Sequence, residues 1–439
     1  MKRHFEQIFL TWLRLAAQVQ LRKNNPLIIG VTGSAGKTSG VQAVELVLKH
    51  KYRVKATHKG NSETGIPFEL LNIEVDTYVG VQWLEVAIKA LWQVLTYWPK
   101  YDVLVVEMGI DSQDAPRNME YHLRYLHPQI GIFLNVSSVH GENFRGKNIV
   151  QSIAQEKGKL LTHLPTSGLA VFTADQLEIT SIAQRVVAKV ARFSIDSDST
   201  AELRLNKYEV ALTGTSYTFT LYGEKHVLEL PAQIHSKVAF GTFAAALLVG
   251  HELQVPISES LRTLAQEFKL LPGRMSLIEG KRDTVLIDSS YNSSLGATTG
   301  ALHTLKTLEP KRRKVAIIGD MRELGTRSAV DHQSLAKALA DTAQLIILIG
   351  PQTAQYVAPA LVTLKFPSAK LHSFENAYDS LTSLDNLLQP HDLVLIKGSQ
   401  NTIFLEIIVK HLMKQPEQAA KLLCRQTPYW ESQRQLLKR

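Results

Sequence analysis

The segment Leu27-Ile28-Ile29-Gly30-Val31-Thr32-Gly33-Ser34-Ala35-Gly36-Lys37-Thr38-Ser39 constrains the fold more than any other part of the chain. A β-branched apolar run leads into a glycine-rich turn, then GKTS, then helical periodicity. That is the strand–loop–helix order of a phosphate-binding loop. Backbone N–H groups of such a turn, with those of the helix N-terminus, surround phosphate oxygens. Lys37 then reaches the β- and γ-phosphates and Thr38 offers its hydroxyl to Mg2+. Gly33, Ser34, Ala35, Gly36, Lys37, Thr38 and Ser39 are therefore expected to hold ATP or GTP. The first glycine of the usual GxxxxGK[ST] pattern falls on Val31 here, flanked by Gly30 and Thr32 with Gly33 next.

The pattern around the loop is α/β. Apolar runs at 27–32, 103–108, 130–136 and 169–173 alternate with helical periodicity at 39–49 and 149–161, the signature of a mostly parallel sheet. Runs at 201–205, 208–212, 216–221 and 225–230 break the rhythm and predict an antiparallel patch, followed by a small-residue helix over 238–250. Pro272-Gly273 punctuates the chain, and a second β/α series follows at 284–288, 314–319, 345–350, 370–374 and 393–396. The expected architecture is an amphipathic N-terminal helix (1–25), a P-loop central ATPase domain with a mostly parallel sheet (26–271), and a Rossmann-like α/β C-terminal domain (272–439). Within the first segment Phe5, Ile8, Phe9, Trp12, Leu15, Ala16 and Val19 recur at helical spacing. That stripe is expected to pack on the neighbouring domain; the alternative is a peripheral membrane contact through residues 1–23.

The net charge of +9 invites a nucleic-acid reading, but its distribution argues against one. Residues 1–25 hold five basic side chains against one acid, and residues 410–439 hold seven against two. The remaining 26–409 carry 37 of each sign, so the body is neutral and no nucleic-acid partner is expected. A single cysteine, Cys424, excludes an intramolecular disulfide framework and a cysteine-rich zinc module, which fits a cytoplasmic protein. No uninterrupted apolar stretch has the length of a membrane span, and the short apolar run 8–13, followed by Arg14, does not read as a signal peptide.

Three further residues carry candidate chemistry. Glu107 ends the buried run 103–108, on the ligand edge of a parallel sheet; equally, it could be a helix-start acid. His140 follows the next strand in Asn135-Val136-Ser137-Ser138-Val139-His140. A histidine there is either structural or, beside Glu107 and the phosphate loop, a metal ligand. Lys157 lies on the helix 149–161 and by composition alone is a solvated side chain.

These residues resemble the Mur ligase family, ATP-dependent amide-forming enzymes of peptidoglycan assembly. The resemblance is carried by Gly30 to Ser39, Asn61-Ser62-Glu63-Thr64-Gly65-Ile66-Pro67, Val106-Glu107-Met108-Gly109, Asn135 to His140 and Ala154 to Lys157. It continues through Leu271-Pro272-Gly273-Arg274-Met275, Ile287-Asp288-Ser289-Ser290-Tyr291-Asn292, Gly319-Asp320-Met321-Arg322-Glu323-Leu324-Gly325 with His332, and Lys397-Gly398-Ser399. It implies ATP and Mg2+ as cofactors, with D-Ala-D-Ala joined to a UDP-N-acetylmuramoyl tripeptide by a monomeric enzyme. By resemblance Lys37, Glu107, His140 and Lys157 are catalytic. Thr38, Glu107, His140 and a carbamylated Lys157 serve the metals, and Arg274, Asp288 and Asn292 contact ATP. Asn61, Ser62, Glu63 and Tyr291 face the substrates.

The sequence also departs from the family pattern. Members of the family that add D-Ala-D-Ala carry a folded N-terminal domain for the UDP-sugar, where 29 residues precede Gly30 here. Ser289, Leu295 and Thr173 stand where the family has Asp, Pro and Asn, and His235-Ser236 replaces a His-Asn pair. Two alternatives stay open: a folylpolyglutamate- or cyanophycin-type ligase with another acceptor, and a nucleotide-binding regulator without catalysis.

Overall fold

The computed structural model describes residues 2–75, 82–138, 141–146, 148–400 and 402–436. Helix α1 (Lys2–Arg22) precedes β1 (Leu27–Thr32), α2 (Lys37–Leu48), β2 (Val54–Ala56), α3 (Gly65–Leu71) and α4 (Gln82–Thr96). Next come β3 (Val103–Glu107), α5 (Met119–Leu123), β4 (Ile130–Phe133), α6 (Ile149–Thr162), β5 (Leu169–Thr173), α7 (Leu177–Ala183) and β6 (Lys189–Ser194). Strands β7 (Leu203–Ala211), β8 (Gly214–Leu221) and β9 (Glu224–Pro231) complete this half, with α8 (Phe240–Glu252) and α9 (Ile257–Glu267) behind them. The nine strands form one sheet in the order β2-β3-β1-β4-β5-β6-β7-β8-β9, parallel through β7 and antiparallel from there.

Central strands β1, β3, β4 and β5 are apolar along their length because helices cover both faces. One layer joins α2 and α8 to Ile29, Val31 and Val105; the other joins α6 to Ile28, Leu104 and Phe133. The predicted antiparallel patch extends this same sheet rather than standing apart. Its first two expected strands are one strand, β7, whose register shifts between Leu205 and Lys207. The gap at Asn206-Lys207 between the two expected strands is a bulge that the ladder absorbs.

Helix α1 packs on this half, through a different stripe from the expected one. Phe9, Leu10, Leu13, Ala16, Ala17 and Leu21 are buried against α3, α4 and β3-side residues, whereas Ile8, Leu15 and Val19 are exposed. The helix is apolar around most of its circumference, so periodicity alone could not select the face that tertiary packing covers. Each fully buried leucine here contributes about 1.5–3 kcal/mol.

The second sheet contains β10 (Ser276–Glu279), β11 (Val285–Ser289), β12 (Lys314–Gly319), β13 (Leu345–Ile349), β14 (Leu371–Phe374) and β15 (Leu393–Lys397). Its order is β10-β11-β15-β12-β13-β14, parallel except for β10 on β11. Helix α10 (Leu295–Thr307) lies between β11 and β12 and contacts the first half, where Tyr208 Oη is 3.5 Å from Thr304 Oγ1. Helix α11 (Ser328–Ala340) brings Asp331 to Ser138, whose hydroxyl donates to Asp331 Oδ2 at 2.6 Å.

Candidate active site

Strand β1 is flanked by β3 on one edge and β4 on the other, with Val31 level with both Glu107 and Ile132. Three adjoining strand ends therefore deliver the loop 33–36, Glu107 and Asn135 to one edge of the sheet. Strand order reverses here, which is where open α/β sheets bind ligands. Glycine is required inside β1 because a Cβ on Gly30 would lie 2.7 Å from Met108 Sδ and 2.9 Å from Leu160 Cδ1. Gly36 adopts φ +79° as the N-cap of α2, and no side chain caps that first turn. The unpaired N–H groups and the positive end of the helix dipole thus face the loop.

Asn135 clamps this loop. Its Oδ1 accepts from the Ala35 N–H at 2.9 Å, its Nδ2 donates to the Ala35 carbonyl at 3.0 Å, and its own carbonyl accepts from the Ser34 N–H at 2.9 Å. Ser34 Oγ in turn accepts from the Ser137 N–H at 2.9 Å. Sequence reading quoted Asn135 within a motif without giving it a role; its signal was its place at a strand end beside the loop.

Glu107 is buried and held from three sides. Oε2 accepts from Thr38 Oγ1 at 2.7 Å and Oε1 from Asn61 Nδ2 at 2.8 Å, while its N–H donates to Thr57 Oγ1 at 2.9 Å. The Thr38 hydroxyl and the Glu107 carboxylate thus converge at the uncapped end of α2. Both are hard oxygen donors suited to Mg2+. Among the described residues no group of three or more His, Cys, Asp or Glu side chains is placed to hold a metal ion. A cation here would complete its shell with phosphate oxygens and water, as Mg2+ does at nucleotide sites. The residues present fit that role.

Lys157, on α6, is buried rather than solvated. Burial, reinforced by the nearby Lys37 charge, pushes its ammonium down to about 7 despite Asp111, Glu107 and Glu156. A substantial fraction is therefore a neutral, nucleophilic amine at neutral pH. The turn after Glu107 is fixed by His122, whose Nε2 lies 3.0 Å from the Gly109 carbonyl and which burial pushes down to about 4. His140 lies outside the described residues. Asn61 joins the Glu107 carboxylate, but Ser62 Oγ accepts from the Gly65 N–H at 3.1 Å and so serves the start of α3. Glu63 sits 3.9 Å from Arg117 Nε, and burial raises its carboxyl above the usual range.

Arg274, Asp288, Tyr291 and Asn292 gather on the second half. The Arg274 guanidinium lies 4.3 Å from the Tyr291 ring centroid, and the Tyr291 N–H donates to the Gly273 carbonyl at 3.0 Å. Asp288 is fully buried; burial pushes its carboxyl up to about 6 although the Ser290 N–H donates to Oδ1 at 3.0 Å. Asn292 Oδ1 accepts from the Ser293 N–H at 2.8 Å. Lys397 Nζ donates to Ser289 Oγ at 3.1 Å and to the Asn292 carbonyl at 3.0 Å. Burial and the Arg274 charge push it down to about 8.

Arg425 holds this cluster from behind and gave no sequence signal beyond belonging to a basic tail. It donates to the Ser290 and Tyr291 carbonyls at 2.8 and 2.9 Å and forks onto Glu406 at 2.7 and 2.9 Å, fully within the protein. The Arg425→Met variant is expected to lower stability by about 3–5 kcal/mol, because it strips the main partner from a buried carboxylate. Adding Glu406→Gln should recover part of the loss in chemical denaturation.

The segment 319–325 docks on the first half. Gly325, at φ +55°, packs on the backbone of Glu142 within the single-turn helix Gly141–Asn143. His332 Nε2 accepts from the Met321 N–H at 3.0 Å, while Nδ1 faces the Ser328 carbonyl at 2.8 Å. A cavity of about 710 Å³ opens beside this contact, lined by Glu142, Arg322, Glu323, Gln352, Glu375 and Asn376 among others.

Comparison with known proteins agrees with this geometry. The Mur ligase middle domain family matches residues 31–239, and the Mur ligase glutamate ligase domain family matches residues 273–400. The UDP-N-acetylmuramoyl-tripeptide–D-alanyl-D-alanine ligase of Escherichia coli (strain K12) is 24% identical over 391 residues, 87% of this chain and 76% of that protein. The enzyme of the same name from Bacillus subtilis (strain 168) is 22% identical, covering 93% of this chain and 80% of its own length. The solved MurF ligase of Thermotoga maritima in complex with ADP superposes with a TM-score of 0.75 at 21% identity, over 94% of this chain and 85% of that one. With both family domains matched in order over most of its length, the chain belongs to the Mur ligase family.

Proposed function

We propose that this protein is an ATP-dependent amide-forming ligase of peptidoglycan precursor synthesis that adds D-Ala-D-Ala to a UDP-N-acetylmuramoyl tripeptide. The observation that carries the reading is the Thr38–Glu107 oxygen pair at the uncapped end of α2, with the depressed Lys157 amine beside it. The named D-alanyl-D-alanine ligases, aligned over most of this chain, support the substrate assignment.

A carboxylate does not react with an amine at neutral pH, because oxide is too poor a leaving group. Transfer of the γ-phosphoryl group to the carboxylate makes an acyl phosphate, whose phosphate the amine then displaces. In this reading the α2 N-terminus, Lys37 and Arg274 bind the phosphates and stabilise the charge that develops on them. Thr38 and Glu107 hold Mg2+, which would neutralise phosphate oxygens. The neutral Lys157 amine combines with CO2, releasing one proton, and the resulting carbamate supplies an oxygen ligand where an ammonium could not. Asp288 and Asn292 lie with Arg274 on the nucleotide side. Asn61 orients Glu107, while Ser62, Glu63 and Tyr291 border the substrates. Segments 1–25, 26–271 and 272–439 would act as helix, ATP-binding domain and closing domain, and closure would keep water from the acyl phosphate.

Purified protein with ATP and Mg2+ should release ADP when UDP-muramoyl tripeptide and D-Ala-D-Ala are both supplied. Stimulation by glutamate with a folate acceptor instead would move the assignment to the folylpolyglutamate type. Nucleotide binding without any acceptor-dependent ADP would favour a regulator.

A further inference from the structure

Helix α4 presents an apolar face that nothing among the described residues covers. Leu84, Ile88, Leu91, Trp92 and Leu95 follow one another at helical spacing, and all five are exposed; Trp98, just past the helix, is exposed as well. The opposite face, with Val86 and Ala90, is buried against α1 and α3. Helix α1 runs alongside in the same direction, with Phe9 against Trp83 near the two starts and Lys23 against Val94 and Tyr97 near the two ends. It adds Ile8, Leu15 and Val19 to the exposed set. These two helices, with Trp98, thus carry nine of the twenty exposed large apolar side chains among the described residues. That concentration marks an interaction surface rather than scattered surface hydrophobes.

Charge selects the occupant. Arg22 and Lys100 are exposed at the ends of the pair, and Lys23 Nζ stands 4.2 Å from the Trp98 ring centroid. In sequence, residues 1–25 carry a +4 excess while 26–409 is neutral. Aliphatic side chains beside tryptophans, rimmed by lysine and arginine, match an interface whose inner layer is hydrocarbon and whose outer layer is anionic. A protein partner would require neither the basic rim nor the tryptophans at its edge. We infer that the outer face of α1 and α4 docks this protein on an anionic lipid surface. The docking is peripheral, since no described helix is long and apolar enough to cross a membrane.

The test is vesicle flotation of the full chain with phosphatidylcholine alone and with phosphatidylcholine plus phosphatidylglycerol. Anionic vesicles should bind at least about tenfold more tightly, with loss of binding at high salt. The combined variant Ile88→Gln, Trp92→Gln, Leu95→Gln should weaken that binding by about tenfold or more with an unchanged thermal melt. Arg22→Glu with Lys100→Glu should remove the preference for anionic vesicles. Equal affinity for both vesicle types, or triple-variant binding equal to that of the unaltered chain, would overturn the inference. So would a self-associated form that the triple variant dissolves while neither protein floats. Soluble-substrate turnover measured without vesicles is unaffected either way, so this outcome is separable from the proposed reaction.

Discussion

Lys37→Ala is expected to lower kcat by about 10²–10³ or more, the scale of removing a preorganised charge from a developing anion. Lys37 opens α2 directly after the left-handed Gly36, so its ammonium and the uncapped N–H groups act on the same phosphates. The loop itself should stay folded, because Asn135 and Ser34 hold it without help from Lys37. A second consequence separates a catalytic from a structural role. The Lys37 charge helps to depress the Lys157 amine. In the variant that amine should titrate higher, shifting the acid limb of any residual activity upward. A variant that keeps kcat within a few-fold would remove the phosphate-binding role.

Lys157→Ala should abolish turnover to a similar degree, and bicarbonate should not restore it, because no amine remains to be carbamylated. In the unaltered enzyme, activity should fall as pH drops below about 7, where protonation removes the nucleophile from CO2. Stability gives an independent readout. The folded-state value near 7 lies below the ordinary 10.5, so between those values the folded chain binds fewer protons than the unfolded one. Stability therefore rises with pH across that window and is flat, with respect to this group, beneath it. In CO2-free buffer, Lys157→Met should be the more stable protein at pH 6, and its advantage should shrink by roughly 1.4 kcal/mol per pH unit above 7. A constant difference between the two melting curves from pH 6 to 9 would contradict the depressed amine.

Some of this structure was legible in advance and some was not. Strands such as Leu27–Thr32, Leu169–Thr173 and Lys314–Gly319 appear with the expected ends, because buried parallel strands are continuous apolar runs bounded by turn residues. The strand–turn–helix order around Gly33 to Lys37 was equally legible, because the glycines and the apolar run mark it in sequence. Two of the four edge strands were not: β2 is only Val54-Lys55-Ala56, and β10 gains its identity from pairing antiparallel with β11. Long-range relations were also silent. That Lys157 is buried, that Asn135 clamps the loop, and that Arg425 reaches Ser290 and Tyr291 depends on contacts between distant segments. The basic tail illustrates the point. Arg425 and Arg434 add to its formal charge, yet both are buried around Glu406.

The most direct measurement follows oxygen from the carboxylate that becomes the amide. UDP-muramoyl tripeptide carrying 18O in that carboxylate would be incubated with the protein, ATP, Mg2+ and D-Ala-D-Ala. An acyl phosphate leaves its bridging oxygen with phosphorus when the amine displaces phosphate. One 18O per inorganic phosphate, equimolar with ADP and with the new amide, is the expected result. ADP release accompanied by unlabelled phosphate and no amide would mean that water, not the carboxylate, takes the γ-phosphoryl group, and would contradict the ligase assignment.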